Sequence, residues 1–522
     1  MTAKTRYDYL SGERTQFLDE AEKAAELTLP YLITQDQYTK GMRHLPTPWQ
    51  SVGAKCAVTL AAKLMQSMLP VQTSFFKLQV DESQLGQEFG PQIKSELDLS
   101  FAKIERTILE AISASNDRVV VHEALLHLVV AGNALLFMGK EGLKLYPLNR
   151  YVVERDGNGN VIEIVTKETI AKKLIEDQLP EDVLQQYDTV VDGSDDNVEE
   201  CDIYTHIKRD NNRYVWHQEV HGKTLEKSYG KSPVDVTPWI ALRFNTVDGE
   251  DYGRGRVGQF IGDLKSLEAL SQALVEGSAA AAKVVFTVSP SSTTKPSTLA
   301  NAGNGAIVQG RPDDIGVVQV GKSADFGTAF QMMQQLERRL NDAFLVMQVR
   351  QSERTTAEEV RLTQMELEQQ LGGLFSLLTT EFLLPYLNRI LNQFQKIGKI
   401  PRLPKDIVKP TIVAGINALG RGQDRESLGQ FLQIVAQTMG PEAVQKFINP
   451  EEVIKRLAAA SGIDVLNLVT SMEEIQAKEQ QAQQMAMQQQ QAENQTAMMK
   501  TPMMDPSKNP ALAEQEQPPQ QE

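Results

Sequence analysis

Apolar residues recur at helical spacing through much of the chain. Between residues 94 and 113 they fall at Leu97, Phe101, Ile104, Ile108 and Ile112, one stripe of a helix. Residues 12–33 predict an earlier helix ending near Pro30. The stretch TPWQSVGAKCAVTLAAKLMQSMLP predicts another, stopped at Pro70, whose Ala54, Ala57, Ala61 and Ala62 suit close packing. Residues 117–131 predict a more buried helix. The period then drops to two. GNALLFM and LKLYPL read as short strands, and YVVERDGNGNVIEIVTK as a hairpin turning at Asp156–Gly159. CDIYTHIKR and RYVWHQEV, joined by Asp210-Asn211-Asn212, add two strands, and PWIALRFN a further one. Residues 1–250 therefore predict a mixed α+β domain without the regular strand–helix alternation of a parallel sheet.

From Gly258 the helical period returns. A helix over 259–285 carries Ile261, Leu264, Leu267, Leu270 and Leu274 on one side and runs into small residues after Gly277. A Ser-, Thr-, Pro- and Gly-rich insert, 287–325, separates it from a helix over 326–347, with Phe330, Met333, Leu336, Leu340, Phe344 and Met347 in register. The polar break QVRQSERTT follows. Thr355 and Glu358 form a capping box that opens a long helix to about Lys396, with Gly372-Gly373 and Pro385 as kink points. Residues 403–460 predict a small helical domain. Beyond about 470 the chain is rich in Gln, Met and Ala and is expected to be disordered through its Pro-rich tail.

Composition narrows the function. At 522 residues the chain has room for several domains. Cys56 and Cys201 are too few and too far apart for a disulfide scaffold or a cysteine metal cage. A net charge of −15 argues against a protein that grips nucleic acid by neutralising phosphates. No apolar run approaches the roughly 18 residues of a membrane span, and the N-terminus lacks the apolar core of a secretory signal.

Candidate motifs then compete with plainer explanations. GRGRVG at 253–258 fits G-x-G-x-x-G, but a dinucleotide site needs a strand running into the first glycine and an acidic residue about 20 positions on, ending a second strand. Here TVDGEDY intervenes after PWIALRFN, and one long helix follows the glycines. HEALLH places His122 and His127 five apart, about 140° around a helix, the wrong spacing for one zinc. Nucleophile-elbow, phosphate-loop and catalytic-cysteine signatures are missing from the sequence. Basic residues gather at Arg350 and Arg354, in the polar break, and at Lys283, Lys295 and Lys322, around the insert. In a single chain these are solvated turns; repeated around an axis they are rings.

The ordered set TPWQSVGAK (47–55), EALLHLVVAGNALL (123–136), YVVERDGNGNV (151–161), DGEDYGRG (248–255), GDLKSLEAL (262–270), GRPDDI (310–315), ADF (324–326), RTTAEEVR (354–361), LGGLFSLL (371–378) and GINALGRGQD (415–424) resembles the portal, or head-to-tail connector, proteins of T7-like short-tailed bacteriophages. The resemblance covers nearly the whole chain. It implies an α+β, mainly helical portal fold of wing, stem, clip, crown and C-terminal barrel, assembled as a dodecameric ring at one capsid vertex. Double-stranded DNA is packaged and later ejected through it. The implied parts are a wing (1–250), first stem helix (251–286), clip (287–325), second stem helix (326–347), tunnel loop (348–356), kinked wing helix (357–398), crown (399–462) and barrel or tail (463–522). The implied partners are the terminase large subunit, the tail adaptor, major capsid and scaffolding proteins and internal core proteins. No cofactor, metal, membrane or catalysis is implied. The implied location is the virion, with assembly in host cytoplasm.

On that resemblance Gln348, Arg350, Gln351, Arg354, Lys283 and Lys322 face the DNA tunnel. Lys295, Arg311, Asp313 and Asp314 serve the clip, and Gly253, Gly255 and Gly258 let the chain bend from wing to stem. The Gln-rich C-terminus departs from the family pattern. Twelve helices about 10 Å across, side by side, leave a hole roughly 28 Å wide, enough for a duplex about 20 Å across. A mostly anionic wall would let DNA slide. A nucleotide-binding enzyme at Gly253–Gly258 and a tail-adaptor ring remain the rival expectations.

Overall fold

The computed structural model describes residues 1–34, 45–70, 74–80, 91–139, 142–171, 200–281, 285–291, 295–303, 315–318, 323–346, 371–403 and 408–412, with isolated positions in 307–313 and 428–454. The chain divides into two compact units, Met1–Ala418 and Leu419–Glu522. Of the second, the described residues are mainly helical positions between 428 and 438.

In the first unit the order is α1 (Ala3–Glu26), α2 (Val52–Met68), β1 (Phe76–Val80), α3 (Pro91–Ala114), α4 (Asp117–Ala131), β2 (Asn133–Met138), β3 (Leu143–Tyr146), β4 (Tyr151–Arg155) and β5 (Val161–Ala171). There follow β6 (Glu200–Asp210), β7 (Arg213–Val220), β8 (Lys223–Thr224), β9 (Gly230–Pro233) and β10 (Trp239–Arg243). Then come α5 (Arg256–Gln259), α6 (Ile261–Ala281), β11 (Val285–Val288), α7 (Pro296–Ala300), β12 (Ile315–Val318) and α8 (Ser323–Ala343). A π segment (Thr379–Leu383), α9 (Leu384–Ile397) and β13 (Val408–Ile412) close the unit. The described strands pair antiparallel, in sheets ordered β4-β5-β6-β7-β8 with β9 also on β7, β10-β2-β3, β11-β12 and β1-β13. The α+β expectation for residues 1–250 holds.

Helix α1 starts nine residues earlier than its apolar stripe predicts. Thr2 caps it, its hydroxyl accepting from Thr5 N at 3.3 Å. Its first turns are polar in sequence and are fixed by the sheet. Ala3 N donates to Glu219 Oε2 at 2.6 Å, and Tyr7 meets Tyr204 edge-on at 5.6 Å. Arg6 pairs with Glu163 at 2.8 Å and also with Glu154. Burial alone would push the Glu163 carboxyl up, but the hydrogen bonds and charges of His206 and Arg6 outweigh it and hold it at about 2.

Deeper in, α2 and α4 pack through Ala57, Leu60, Ala61, Leu64, Leu125 and Leu128, all buried. His127 of α4 lies in this core. Burial depresses its imidazole to about 4, which agrees with an ordinary core histidine rather than a ligand. The helix over 371–397 passes Gly372-Gly373 without a break. Its irregularity is the π segment immediately before α9, which carries Pro385 in its first turn; proline supplies no N–H to the helix ladder. The predicted helical stretch 403–460 begins instead with β13, whose partner β1 lies more than 300 residues back, beyond the reach of local patterning.

Candidate functional site

Two structures meet between residues 244 and 281. The first is the glycine junction. Helix α4 ends at Gly132, which is left-handed at φ 79° and caps the helix. Asn133, fully buried, then pairs with Gly253 in both directions: Gly253 N donates to Asn133 Oδ1 at 2.7 Å, and Asn133 Nδ2 donates to Gly253 O at 2.7 Å. Phe244 N donates to Gly132 O, and Arg254 N to Asn245 O, each at 2.9 Å. A Cβ on Gly255 would lie 2.6 Å from Val130 O, and one on Gly253 2.8 Å from Gly132 O. A Cβ on Gly132 would collide with the backbone of Gly253, Arg254 and Gly255.

These glycines are therefore required by backbone-to-backbone contact, and not by the bend expected of them. Gly258 is different: among the described residues nothing lies within 4 Å of a Cβ there, so close packing does not require it. The face of the loop that lacks Cβ atoms, where a pyrophosphate would approach, is filled by Val130 and Gly132. Only the four-residue α5 follows directly. This geometry is no dinucleotide loop. Arg254 points out of the junction, bound to Glu250 at 2.6 Å and Glu20 at 3.1 Å, with its guanidinium 5.2 Å from the Phe17 ring centre.

The second structure is the antiparallel pair α6–α8. Arg339 binds Asp263 at 2.8 Å near one end, Ser271 Oγ lies 3.7 Å from Met333 Sδ midway, and Phe326 fills the space above Gly277 at the other end. Leu264, Leu267, Leu336, Leu340 and Phe344 are buried. The predicted stripe holds except at Phe330, which is 48% exposed, and Met347, which lies outside the described residues. The pair is fastened to the rest of the unit at several points. Trp49 N and Gln50 N donate to Glu268 at 2.8 and 3.3 Å. Arg256 Nη2 donates to Ala343 O at 3.0 Å, and Lys63 Nζ to Leu345 O. Desolvation lowers the pKa of both cations, which cap the C-terminal carbonyls of α8. The α8 cap places Leu345 at φ 58°, a conformation unusual for a side chain of that size.

The far ends of α6 and α8 lead into β11–β12. Lys295, Arg311 and Asp313 are exposed in that region. Asp314, Lys283 and Lys322, together with Gln348, Arg350, Gln351 and Arg354, lie outside the described residues. The sequence reading missed Gly132 and Asn133, although a Gly-Asn pair just after an apolar helix is a legible capping signal. Among the described residues there is no group of three or more His, Cys, Asp or Glu able to hold a metal, and no helix long and apolar enough to cross a membrane.

Comparison with known proteins gives a consistent result. A family model described as bacteriophage head to tail connecting protein matches residues 1–468. The portal protein of Enterobacteria phage T3 is 38% identical over 486 residues, 91% of this chain and 89% of that one. The portal protein of Escherichia phage T7 is 37% identical over 488 residues, again 91% and 89%. That of Enterobacteria phage SP6 is 30% identical over 453 residues, 85% of each chain. A chain in the neck of an empty gene transfer agent particle aligns over 80% of this chain and 91% of its own, at 12% identity and TM-score 0.40, too slight a likeness to argue from.

Proposed function

The chain belongs to the bacteriophage head-to-tail connecting protein family, and from that membership we propose that it works as the portal: a ring at one capsid vertex through which double-stranded DNA enters the head and leaves it. The observation that carries this is the match from residue 1 to 468, which takes in the junction, the helix pair and its terminal hairpin together.

The architecture supplies the physical rationale. In the proposed division, residues 1–250 with 357–398 are the wing, α6 and α8 the stem, β11–β12 with its loops the clip, 348–356 the tunnel loop and 399–462 the crown. Helices α6 and α8, each of 21 residues, are about 31 Å long, so the pair makes a channel wall rather than a pore lip. Twelve such wedges leave a bore roughly 28 Å wide. Each chain brings −15, so the assembled wall repels its cargo over most of its area and the duplex slides. Arg350 and Arg354 form proposed rings at the constriction, with Gln348 and Gln351 beside them. Lys295, Arg311, Asp313 and Asp314 form the end that docks first the packaging motor and then the tail adaptor. No residue is assigned a catalytic role.

Heads assembled without this chain should enclose no nuclease-resistant DNA when supplied with motor and ATP, and adding it during assembly should restore filling. Filling without it would reject the proposal.

A further inference from the structure

Helices α6 and α8 turn outward two faces of different chemistry. On α8, Met333, Leu336 and Leu340 point inward, and the opposite side exposes Gln331, Gln334, Gln335 and Arg338. Arg338 makes no ion pair or hydrogen bond among the described residues, whereas Arg339, one position on, is held by Asp263 at 2.8 Å. Asp342, also exposed, ends this face one turn on. The outward side of α6 is mostly small: Gly262, Ala269, Ala273 and Ala280 are exposed, with Lys265 and Glu276 between them. Small residues admit a second helix closely. A guanidinium set among amides, with no ion pair among the described residues, does not, because covering it without a counter-charge costs its hydration. It suits a solvated polyanion.

Resting on the portal reading, we infer that the Gln331–Arg338 face of α8 lines the bore and touches the phosphates of the passing duplex, while the small-residue face of α6 meets a neighbouring copy. The two residue types divide the work. Glutamine amides donate to phosphate oxygens without charge and exchange readily as the duplex advances. Arg338 adds one attracting charge per copy. Each phosphate neutralised releases counterions and strengthens binding, so a wall of many cations would hold the DNA. A single arginine on an amide strip that ends at Asp342 centres the duplex and still lets it go.

The test exploits the native cysteines. Cys56 and Cys201 are both buried, and burial pushes the Cys56 thiol up to about 11, so a surface cysteine reacts selectively. R338C, Q331C and A269C are each labelled with a thiol-reactive benzophenone and assembled into heads, which are filled with DNA and irradiated. The inference predicts DNA adducts from positions 338 and 331 at several-fold the yield from 269, and chain-to-chain adducts from 269. Adducts from 338 and 331 to neighbouring chains, or DNA adducts mainly from 269, would overturn it while leaving the portal reading intact. Failure of the portal reading looks different: heads fill without the chain, or the chain forms no ring.

Discussion

The glycine junction and the α6–α8 pair adjoin along the chain and are finished in opposite ways. At the junction the chain satisfies itself: Asn133 pairs both backbone groups of Gly253, and backbone fills the space beside Gly132, Gly253 and Gly255. On the helix pair only the inner stripe is covered, and Val275, Phe330 and Met332 stand half exposed. One region is closed by its own chain, and the other leaves large apolar side chains in the open. The same residue type thus has two meanings within six positions: Gly255 is demanded by this chain's own packing, and Gly258 by no contact among the described residues.

Substitution should separate the two regions most sharply at those glycines. G255A forces a Cβ against Val130 O and should destabilise the chain by more than about 3 kcal/mol, read as a lower denaturant midpoint or loss of soluble protein. G258A, in open space at a helical position, should leave the midpoint unchanged or raise stability by up to about 1 kcal/mol. Equal effects at both positions would erase the contrast.

The closed region has a second sensitive point at Glu381, which accepts Arg243 Nη2 at 2.6 Å and Arg243 N at 3.0 Å, with Arg155 Nη1 at 3.8 Å. E381Q leaves the nearly buried Arg243 guanidinium without its carboxylate and should cost about 3 kcal/mol in chemical denaturation, whereas Arg155 keeps the carbonyls of Asp251, Gly159 and Ala241.

A third prediction concerns pH. His127 titrates near 4 when folded and near 6.5 when unfolded, so the unfolded chain binds the extra proton between those values. Its contribution is intact above pH 6.5 and declines by about 3 kcal/mol as pH falls to 4. H127L should flatten that part of the stability–pH curve; an unchanged slope would show that the side chain is not sealed in the core.

The smallest effect on the single chain is expected from V275D on the open region: a shift within about 0.5 kcal/mol, with ring assembly lost in native mass measurement. A large loss of single-chain stability would mean that the helix pair is not waiting for a partner.

Local chemistry made much of this legible. Helix α4 occupies the predicted 117–131, and the Asp156–Gly159 turn lies between β4 and β5 as read, because each is set by neighbours in sequence. The misses are long-range. The first turns of α1 are ordered by Glu219, Glu163 and Tyr204, and β13 by β1. The glycine motif was visible, but its purpose was not, since Val130 and Gly132 lie over 100 residues upstream. On α8 the apolar stripe drew attention to the buried side, whereas the face with chemistry to offer is the opposite one. The tunnel residues Arg350 and Arg354 remain a proposal drawn from family membership.

Counting symmetry in electron-microscope images of the purified protein tests the central claim most directly. The account predicts rings of twelve chains of 58.1 kDa, roughly 700 kDa in all, around a bore of roughly 28 Å. A compact monomer, a small closed oligomer, or a ring whose opening is narrower than a duplex would contradict it.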